Sequence, residues 1–240
     1  MSKKNTATSR TERAAVAVRE QERQEQRRRM TMILAVVLVL VVVVVGGTLW
    51  MRANDPSKDL AAPAAGSEFG LTIGETGAPH EVIIYEDFHC VHCADLEAVS
   101  TEELSEFAES GKATIEYRPV NFLSDYSERS TNAFKVVLDA AGPEVAKKYH
   151  ELLFERYDEA SESEDGLDDD TLVELAVEAG AEEDDVRPGI EGMAEQAWVD
   201  EATQAAQDAG VQGTPTVLLD GKPITGGADD IANSLADAIE

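Results

Sequence analysis

The sequence predicts an α/β domain that contains a helical insertion and is preceded by a single transmembrane helix. Three observations support this architecture. An uncharged segment occupies residues 30–51, two β-rich runs beyond residue 80 flank a helical pattern, and two short strands precede a last amphipathic helix. A mostly helical block of about residues 127–209 separates the two sheet-forming parts.

Charge is distributed very unevenly along the chain. Residues 1–29 hold nine Lys/Arg and four Glu, which is a net charge of +5 within a total of −28. The remaining residues therefore carry a net charge of −33. Because so acidic a domain repels phosphate groups, we expect no nucleic-acid partner. The simplest interpretation of the acidic residues is a well-solvated protein surface.

Residues 30–51 have the length and composition of a transmembrane helix. These 22 residues would span ~33 Å as a helix, enough for a hydrocarbon core of ~30 Å. A cleaved signal peptide is the alternative, but its apolar region has ~7–15 residues with a small-residue cleavage site close behind. The nearest such site, Ala62-Pro63-Ala64, lies well beyond the segment. We therefore expect an uncleaved signal-anchor.

The basic residues predict the orientation of this anchor. Arg27, Arg28 and Arg29 directly precede the apolar segment, whereas only Arg52 and Lys58 follow soon after it. The positive-inside rule then makes residues 1–29 a cytoplasmic basic tail. We expect a single-pass protein of the cell membrane whose catalytic domain is extracytoplasmic.

Beyond the anchor, composition separates a linker from a folded domain. Residues 52–69 are rich in Ala, Pro, Gly and Ser, which is typical of a flexible linker. Residues 70–240 form the predicted domain. It begins with β-rich runs at 81–85 and 113–117, and the apolar residues between them recur at helical spacing: Leu96, Val99, Leu104 and Phe107. This order is a βαβ unit.

The rest of the domain completes the predicted fold. Apolar stripes between about residues 127 and 209 are interrupted by Gly and Pro, as expected for a helical insertion. Residues 216–219 and 222–224 then flank Asp220-Gly221, a strong hairpin signal, before a last amphipathic helix. The order βαβ, helical block, ββα predicts a thioredoxin-like fold with a helical insertion.

The two cysteines of the chain, Cys90 and Cys93, stand where the first strand of the βαβ unit meets its helix. A thiol reacts as its thiolate, and a helix start stabilises a thiolate through unpaired N–H groups and the positive end of the dipole. We expect His92 to add to this stabilisation as a donor or cation. Cys90 is then the nucleophile, and Cys93 attacks a mixed disulfide formed at Cys90.

A single CxxC motif is also compatible with a metal site or a structural disulfide. Half of a zinc site has the same spacing, and His80 and His89 are close in sequence, but the sequence holds no second CxxC and no HxxxH. We therefore expect no metal and no cofactor. A structural disulfide that closes so short a loop would stabilise little. His89 is interpreted as a surface residue beside the motif, and His150 as an ordinary helix residue.

Two motifs resemble the DsbA-like family of thioredoxin-fold thiol–disulfide oxidoreductases. They are Tyr-Glu-Asp-Phe-His-Cys-Val-His-Cys at 85–93 and Val-Gln-Gly-Thr-Pro-Thr-Val at 211–217, and the resemblance covers roughly residues 70–240. Members of this family introduce disulfides into exported proteins of prokaryotes. The resemblance implies that Cys90 attacks, that Cys93 resolves, and that Thr214 and a cis Pro215 bind substrate opposite the cysteines.

The match departs from the family pattern at two positions. Val91 stands where the best-known oxidases have proline. Ile84 stands six residues before the first cysteine, where many relatives carry a buried acid that handles the proton of the second cysteine. Glu86 or water is the candidate replacement. In contrast, a histidine at the second position between the cysteines, as His92 is here, is the arrangement found in strongly oxidising members of the family.

The sequence thus predicts a membrane-anchored disulfide oxidase. Its expected partners are exported proteins with free thiols and a membrane or soluble redox partner that reoxidises the motif. A disulfide reductase or isomerase is the alternative within the same chemistry, because Thr214 before the proline occurs in both kinds of relative. A metal-binding thioredoxin-like module, or an interaction module with incidental cysteines, remains as an alternative from a different class.

Overall fold

A computed structural model describes residues 68–163 and 165–240 of the chain. The predicted cytoplasmic tail, the predicted transmembrane helix and residues 52–67 of the predicted linker lie outside the described residues. Within the two described ranges, no helix combines the length and the apolar composition needed to cross a membrane.

The fold is built around a mixed five-stranded sheet whose central strand leads into the cysteines. This strand is buried continuously from Val82 to Glu86, because it has a neighbour on both sides and helices on both faces. In sheet order the strands are β1 (Leu71–Ile73), β3 (Ala113–Pro119), β2 (His80–Glu86), β4 (Thr216–Leu219) and β5 (Lys222–Ile224). Strands β2 and β3 are parallel, and all other neighbours are antiparallel.

Helices cover the sheet and form the insertion. In chain order they are α1 (Val91–Glu109), α2 (Asp125–Ala141), α3 (Pro143–Glu155), α4 (Tyr157–Ala160), α5 (Asp169–Ala179), α6 (Glu183–Glu191), α7 (Gln196–Asp208) and α8 (Ala228–Ile239). Gly142 separates α2 from α3 at a φ of 85°, a left-handed conformation that favours glycine.

Three apolar clusters hold these layers together. Helices α1 and α8 pack on one face of the sheet, where Leu96 and Leu235 are each 1% exposed. Helix α7 contributes Ala206 to a smaller cluster with Leu218 of β4. The largest cluster fills the helical insertion and reaches Cys93 at the start of α1. The insertion is therefore part of the packing around the cysteines.

The predicted thioredoxin-like fold with a helical insertion is confirmed. Helices of the inserted block run from residue 125 to residue 208, close to the predicted limits of 127 and 209. The predicted hairpin is also confirmed, with positive φ at Asp220 (50°) and Gly221 (73°), as a two-residue turn of this type requires. Strand β1 was not predicted, because its three residues are too few to show a period.

Candidate active site

Cys90 is the N-cap residue of helix α1 and follows β2 through a tight turn. Its N–H donates to the carbonyl of Asp87 (2.9 Å), and its own carbonyl accepts from the N–H groups of Cys93 and Ala94 (3.1 Å each). These bonds hold both sulfurs at the start of the helix. Cys90 is 7% exposed and Cys93 is 1% exposed, and both are free thiols.

The loop before β4 brings the second predicted motif to the cysteines. Sγ of Cys90 lies 3.3 Å from the carbonyl oxygen of Thr214, across 124 residues of sequence, and can donate to it when Cys90 is protonated. The Thr214–Pro215 peptide bond is cis. The expected juxtaposition of the motifs and the cis bond at Pro215 are therefore confirmed, whereas the role of these residues in substrate binding stays a prediction.

The two thiols have opposite acid–base character. The hydrogen bond from the Cys93 thiol, together with contacts from Thr214 and the N–H groups of Cys93 and His92, outweighs burial and lowers the pKa of Cys90 to about 5. Burial, the hydrogen bond to Cys90 and the charges of Cys90 and Glu86 raise the pKa of Cys93. Cys90 is therefore a thiolate at neutral pH, and Cys93 keeps its proton.

The His92 side chain is mostly exposed to solvent. The imidazole is 77% exposed, and its Nδ1 lies 3.7 Å from a carboxylate oxygen of Asp95, one turn further along α1. Among the groups that lower the pKa of Cys90, His92 contributes its main-chain N–H. The predicted action of its imidazole on the thiolate stays a prediction.

Asp87 fixes the turn that carries Cys90. Its buried carboxylate accepts hydrogen bonds from the N–H of His89 (2.8 Å), from the N–H of Phe122 (2.9 Å) and from the hydroxyl of Ser127 (2.6 Å). His89 itself is half-buried and hydrogen-bonds Ser124 through Nδ1 (2.6 Å). Its interpretation as a residue beside the motif agrees with this position.

An open cleft of about 740 Å³ gives access to Cys90. Its lining includes two exposed apolar side chains, Val91 (46% exposed) and Leu123 (56% exposed). Residues 211–214 form another wall of the cleft. Exposed apolar groups beside a reactive thiol suit contact with a polypeptide.

A buried cluster of ionisable side chains lies behind Cys93. His150 of α3 hydrogen-bonds Glu86 of β2 through Nε2, and its Nδ1 lies 3.9 Å from a carboxylate oxygen of Glu97 of α1. All three side chains are at most 4% exposed. Burial raises the pKa of Glu86 well above its usual range, raises that of Glu97, and lowers the pKa of His150 to about 4.

The structure therefore corrects the interpretation of His150 as an ordinary helix residue. His150 and Glu97 were both missed, although each occupies a core-facing position: Glu97 follows Cys93 by four residues, and His150 follows Ala146 by four. A titratable residue at an apolar helical position was the available signal. Ile84, where many relatives have an acid, is buried and apolar, and Glu86 lies on the same strand.

The same three residues are the only group of His, Cys, Asp or Glu in the described ranges whose potential metal-binding atoms all lie within 4.8 Å of one another. The direct hydrogen bond between His150 and Glu86 occupies two of these atoms, and a bound metal ion would have to separate them. The geometry fits shared protons better than a bound metal ion.

A family model described as Thioredoxin matches residues 67–236 of the chain. No curated protein matches the chain.

Solved structures with the same fold include several thiol–disulfide oxidoreductases. Reduced DsbA from Mycobacterium tuberculosis is 23% identical, with a TM-score of 0.57, and the match covers 69% of this chain and 98% of that one. Oxidised BdbD from Bacillus subtilis is 20% identical, with a TM-score of 0.64, and the match covers 72% of this chain and 91% of that one. The oxidoreductase MdbA from Actinomyces oris is 22% identical, with a TM-score of 0.63, and the match covers 76% of this chain and 98% of that one. The fold is thus shared with known thiol–disulfide oxidoreductases.

The opposed acidities of the thiols lead to a first prediction. Replacing Cys93 with Ala should raise the pKa of Cys90 more than replacing His92 with Ala does, because the Cys93 thiol is the largest contributor and the imidazole faces solvent. Thiolate absorbance titrated against pH measures both variants, and the wild-type midpoint is expected at about 5. A larger shift of the Cys90 pKa in the His92→Ala variant would contradict this assignment and would show that the imidazole acts on the thiolate.

Proposed function

Because the chain belongs to the thioredoxin family, we propose that it is a thiol–disulfide oxidase that passes a Cys90–Cys93 disulfide to exported proteins. The two sequence motifs, the thioredoxin family match and a fold shared with DsbA-like oxidoreductases support this proposal. These findings are consistent with an oxidoreductase. The proposed direction, substrates and location rest on the acidity of Cys90, the surroundings of its sulfur and the N-terminal sequence.

The low pKa of Cys90 carries the proposal of an oxidising direction. A thiolate held below ambient pH stabilises the reduced enzyme, and each pKa unit is worth ~1.4 kcal/mol, or ~30 mV for a two-electron couple. The pKa of Cys90, about 5, lies ~2 units below neutral pH. The disulfide is therefore ~60 mV more oxidising than one whose attacking cysteine has a pKa at neutral pH. The reduced enzyme is thus the favoured product of disulfide transfer.

The reaction that follows from this arrangement has two exchange steps. A substrate thiolate attacks Sγ of Cys90, the Cys90–Cys93 bond breaks, and Cys93 leaves and takes up a proton. A second substrate thiolate then attacks the substrate sulfur of the mixed disulfide, and Cys90 leaves as a stable thiolate. The substrate dithiol is oxidised to a disulfide, and the enzyme disulfide is reduced to a dithiol.

The surroundings of Cys90 support an unfolded or extended polypeptide as substrate. The Thr214 main chain lies within hydrogen-bond distance of the reactive sulfur, where an extended chain can pair with it as an added strand. Such pairing depends little on substrate sequence. Val91 and Leu123, which line the cleft, offer apolar contacts to such a chain.

The N-terminal segment supports a location outside the cytoplasm. The uncharged residues 30–51 and the preceding arginines are the features on which a cytoplasmic N-terminus and an extracytoplasmic catalytic domain are proposed. Substrates would be exported proteins that still carry free thiols. A membrane or soluble redox partner would reoxidise the dithiol and so supply the electron acceptor for the next cycle.

The division of labour between the cysteines is tested by trapping. Cys93→Ala should accumulate mixed disulfides between Cys90 and substrates, because the resolving thiol is missing, whereas Cys90→Ala should accumulate none because Cys93 is buried. Nonreducing gels of cells that express each full-length variant measure the adducts. Equal trapping by the two variants would contradict the assigned roles.

The proposed topology is tested by labelling, since the chain has only two cysteines. A membrane-impermeant maleimide should label reduced wild-type protein in intact cells through Cys90. A Ser2→Cys control in a background without Cys90 and Cys93 should be labelled only after lysis. Labelling of Cys90 only after lysis would refute the extracytoplasmic location.

A further inference from the structure

The first exchange step consumes a thiolate of the substrate, and a substrate thiol is mostly protonated at neutral pH. A free thiol has an ordinary pKa of ~8.5, so only a few per cent of it is thiolate at pH 7. A base that removes this proton beside Cys90 would therefore speed the attack by up to ~30-fold. Such a base has to line the cleft through which the substrate reaches Cys90.

The ionisable residues that line the cleft, among those the structure describes, include two imidazoles and no carboxylate or amine. They are Cys90 itself, His89, His92 and Tyr157. Burial raises the pKa of Tyr157, so its hydroxyl keeps its proton at neutral pH. An imidazole is the side chain best suited to act as a base in this pH range. His89 and His92 are therefore the candidate bases.

The two imidazoles differ in how they are held. The His92 side chain is 77% exposed, and its Nδ1 lies 3.7 Å from a carboxylate oxygen of Asp95. His89 is half-buried, and a hydrogen bond of 2.6 Å joins its Nδ1 to the hydroxyl of Ser124. The His89 ring also packs edge-on against Tyr126, with ring centroids 5.1 Å apart. Of the two, His89 is the one held in a fixed orientation at the wall of the cleft.

Asp87 is the start of a hydrogen-bond chain that ends at this imidazole. Its two carboxylate oxygens accept from four donors, which are the N–H groups of His89 (2.8 Å), Phe122 (2.9 Å) and Leu123 (3.2 Å) and the Ser127 hydroxyl (2.6 Å). These bonds oppose the rise in the pKa of Asp87 that burial causes. A protonated carboxyl would have to give up one of the donors, so the group is held as a carboxylate, which can only accept.

The chain from Asp87 to His89 satisfies all of its hydrogen bonds in one direction only. The Ser127 hydroxyl has a single proton and donates it to Asp87. The Ser124 hydroxyl, 3.2 Å from that of Ser127, must then be the donor between the two serines. Ser124 has no second proton to give, so the Nδ1–H of His89 donates to it. In the neutral imidazole this leaves Nε2 without a proton, as an acceptor.

We propose that His89 is a general base that takes the proton of an incoming substrate thiol at Nε2. This inference rests on the proposed disulfide exchange. The substrate S–H bond breaks, its proton passes to His89, and the thiolate so formed attacks Sγ of Cys90. The enzyme disulfide breaks, and Cys93 leaves with the electron pair and takes up a proton. The imidazolium then releases its proton to water in the open cleft and can serve the second substrate thiol.

Asp87 and the two serines act as positioning residues for this base. A positive charge on the imidazole strengthens each hydrogen bond of the chain towards the Asp87 carboxylate. Tyr126 packs against the imidazole, and burial raises its pKa, so it stays neutral. Arg129, over the ring of Tyr126, has a salt bridge of its own. Cys90, once it is a thiolate, adds a second negative charge in the same cleft.

The test is the rate at which oxidised full-length protein, purified in detergent, reacts with an excess of an unstructured peptide that carries two cysteines. Acid quenching at set times, followed by alkylation and mass spectrometry, measures the loss of the Cys90–Cys93 disulfide. His89→Gln and His89→Ala should slow this reaction roughly 10-fold at pH 7, within the ~30-fold that complete ionisation of the thiol can supply. At about pH 9.5 the peptide thiols ionise without help, so both variants should approach the wild-type rate.

A second probe separates proton transfer from misplacement of Cys90. The same peptide with selenocysteine in place of cysteine is already ionised at pH 7, and it should react with wild-type protein and with both His89 variants at the same rate. A misplaced sulfur would instead slow both peptides at every pH.

Two further variants test the chain and the specificity of the effect. Ser127→Ala removes one link but keeps the three N–H bonds to Asp87, so we expect a smaller loss of rate with the same dependence on pH. His80→Gln is the matched control, because His80 begins β2 at the end remote from Cys90 and lies outside the cleft. It should change neither rate.

The remaining outcomes decide against this base. Equal rates of wild-type protein and the His89 variants with the cysteine peptide at pH 7 would overturn it and leave the oxidase proposal intact, since wild-type protein would still lose its disulfide. A loss of rate that persists at about pH 9.5, or that extends to the selenocysteine peptide, would give His89 a structural role only. A pH-dependent loss in His92→Ala but not in His89→Gln would assign the base to His92. Failure of wild-type protein to oxidise either peptide would instead refute the proposed disulfide exchange itself.

Discussion

The Cys93 thiol donates a hydrogen bond to the sulfur of Cys90, and the properties of the site depend on this unequal sharing of one proton. The bond stabilises a thiolate at Cys90 and opposes one at Cys93. It requires one sulfur at the N-cap of α1 and the other in the first turn, both held by the hydrogen bonds of the preceding turn. In a flexible loop the two thiols would have similar pKa values, because the unpaired N–H groups that stabilise the Cys90 thiolate exist only at an ordered helix start.

The fold supplies this asymmetry from both sides of α1. The central strand β2 sets the position of the turn, and the loop before β4 places Thr214 beside Cys90, where a hydrogen bond from its side chain lowers the pKa of that thiol. The helical insertion closes the other side, where α3 carries His150 against Glu86 and Glu97. Sheet, loop and insertion thus each contribute to one end of the dithiol.

The sequence predicts the parts of the site that are local and misses those that depend on packing between distant elements. The strand–helix junction at Cys90, the hairpin at Asp220 and the pairing of Cys90 with Thr214 follow from short motifs or from family resemblance. The partnership of Glu97 and His150 does not, because it joins two helices from different parts of the chain, and their register against β2 is set by the core. The exposure of the His92 imidazole was not predicted either, because it depends on which side of the first turn of α1 faces solvent.

The reduction potential of the full-length protein tests the central claim, that the acidity of Cys90 makes the disulfide oxidising. The pKa of Cys90, about 5, lies ~2 units below that of the corresponding cysteine of thioredoxin at ~7. At ~30 mV per unit above the thioredoxin potential of about −270 mV, we predict a value of about −210 mV, measured by equilibration in glutathione buffers. A value near about −270 mV would contradict the claim and would identify a reductase.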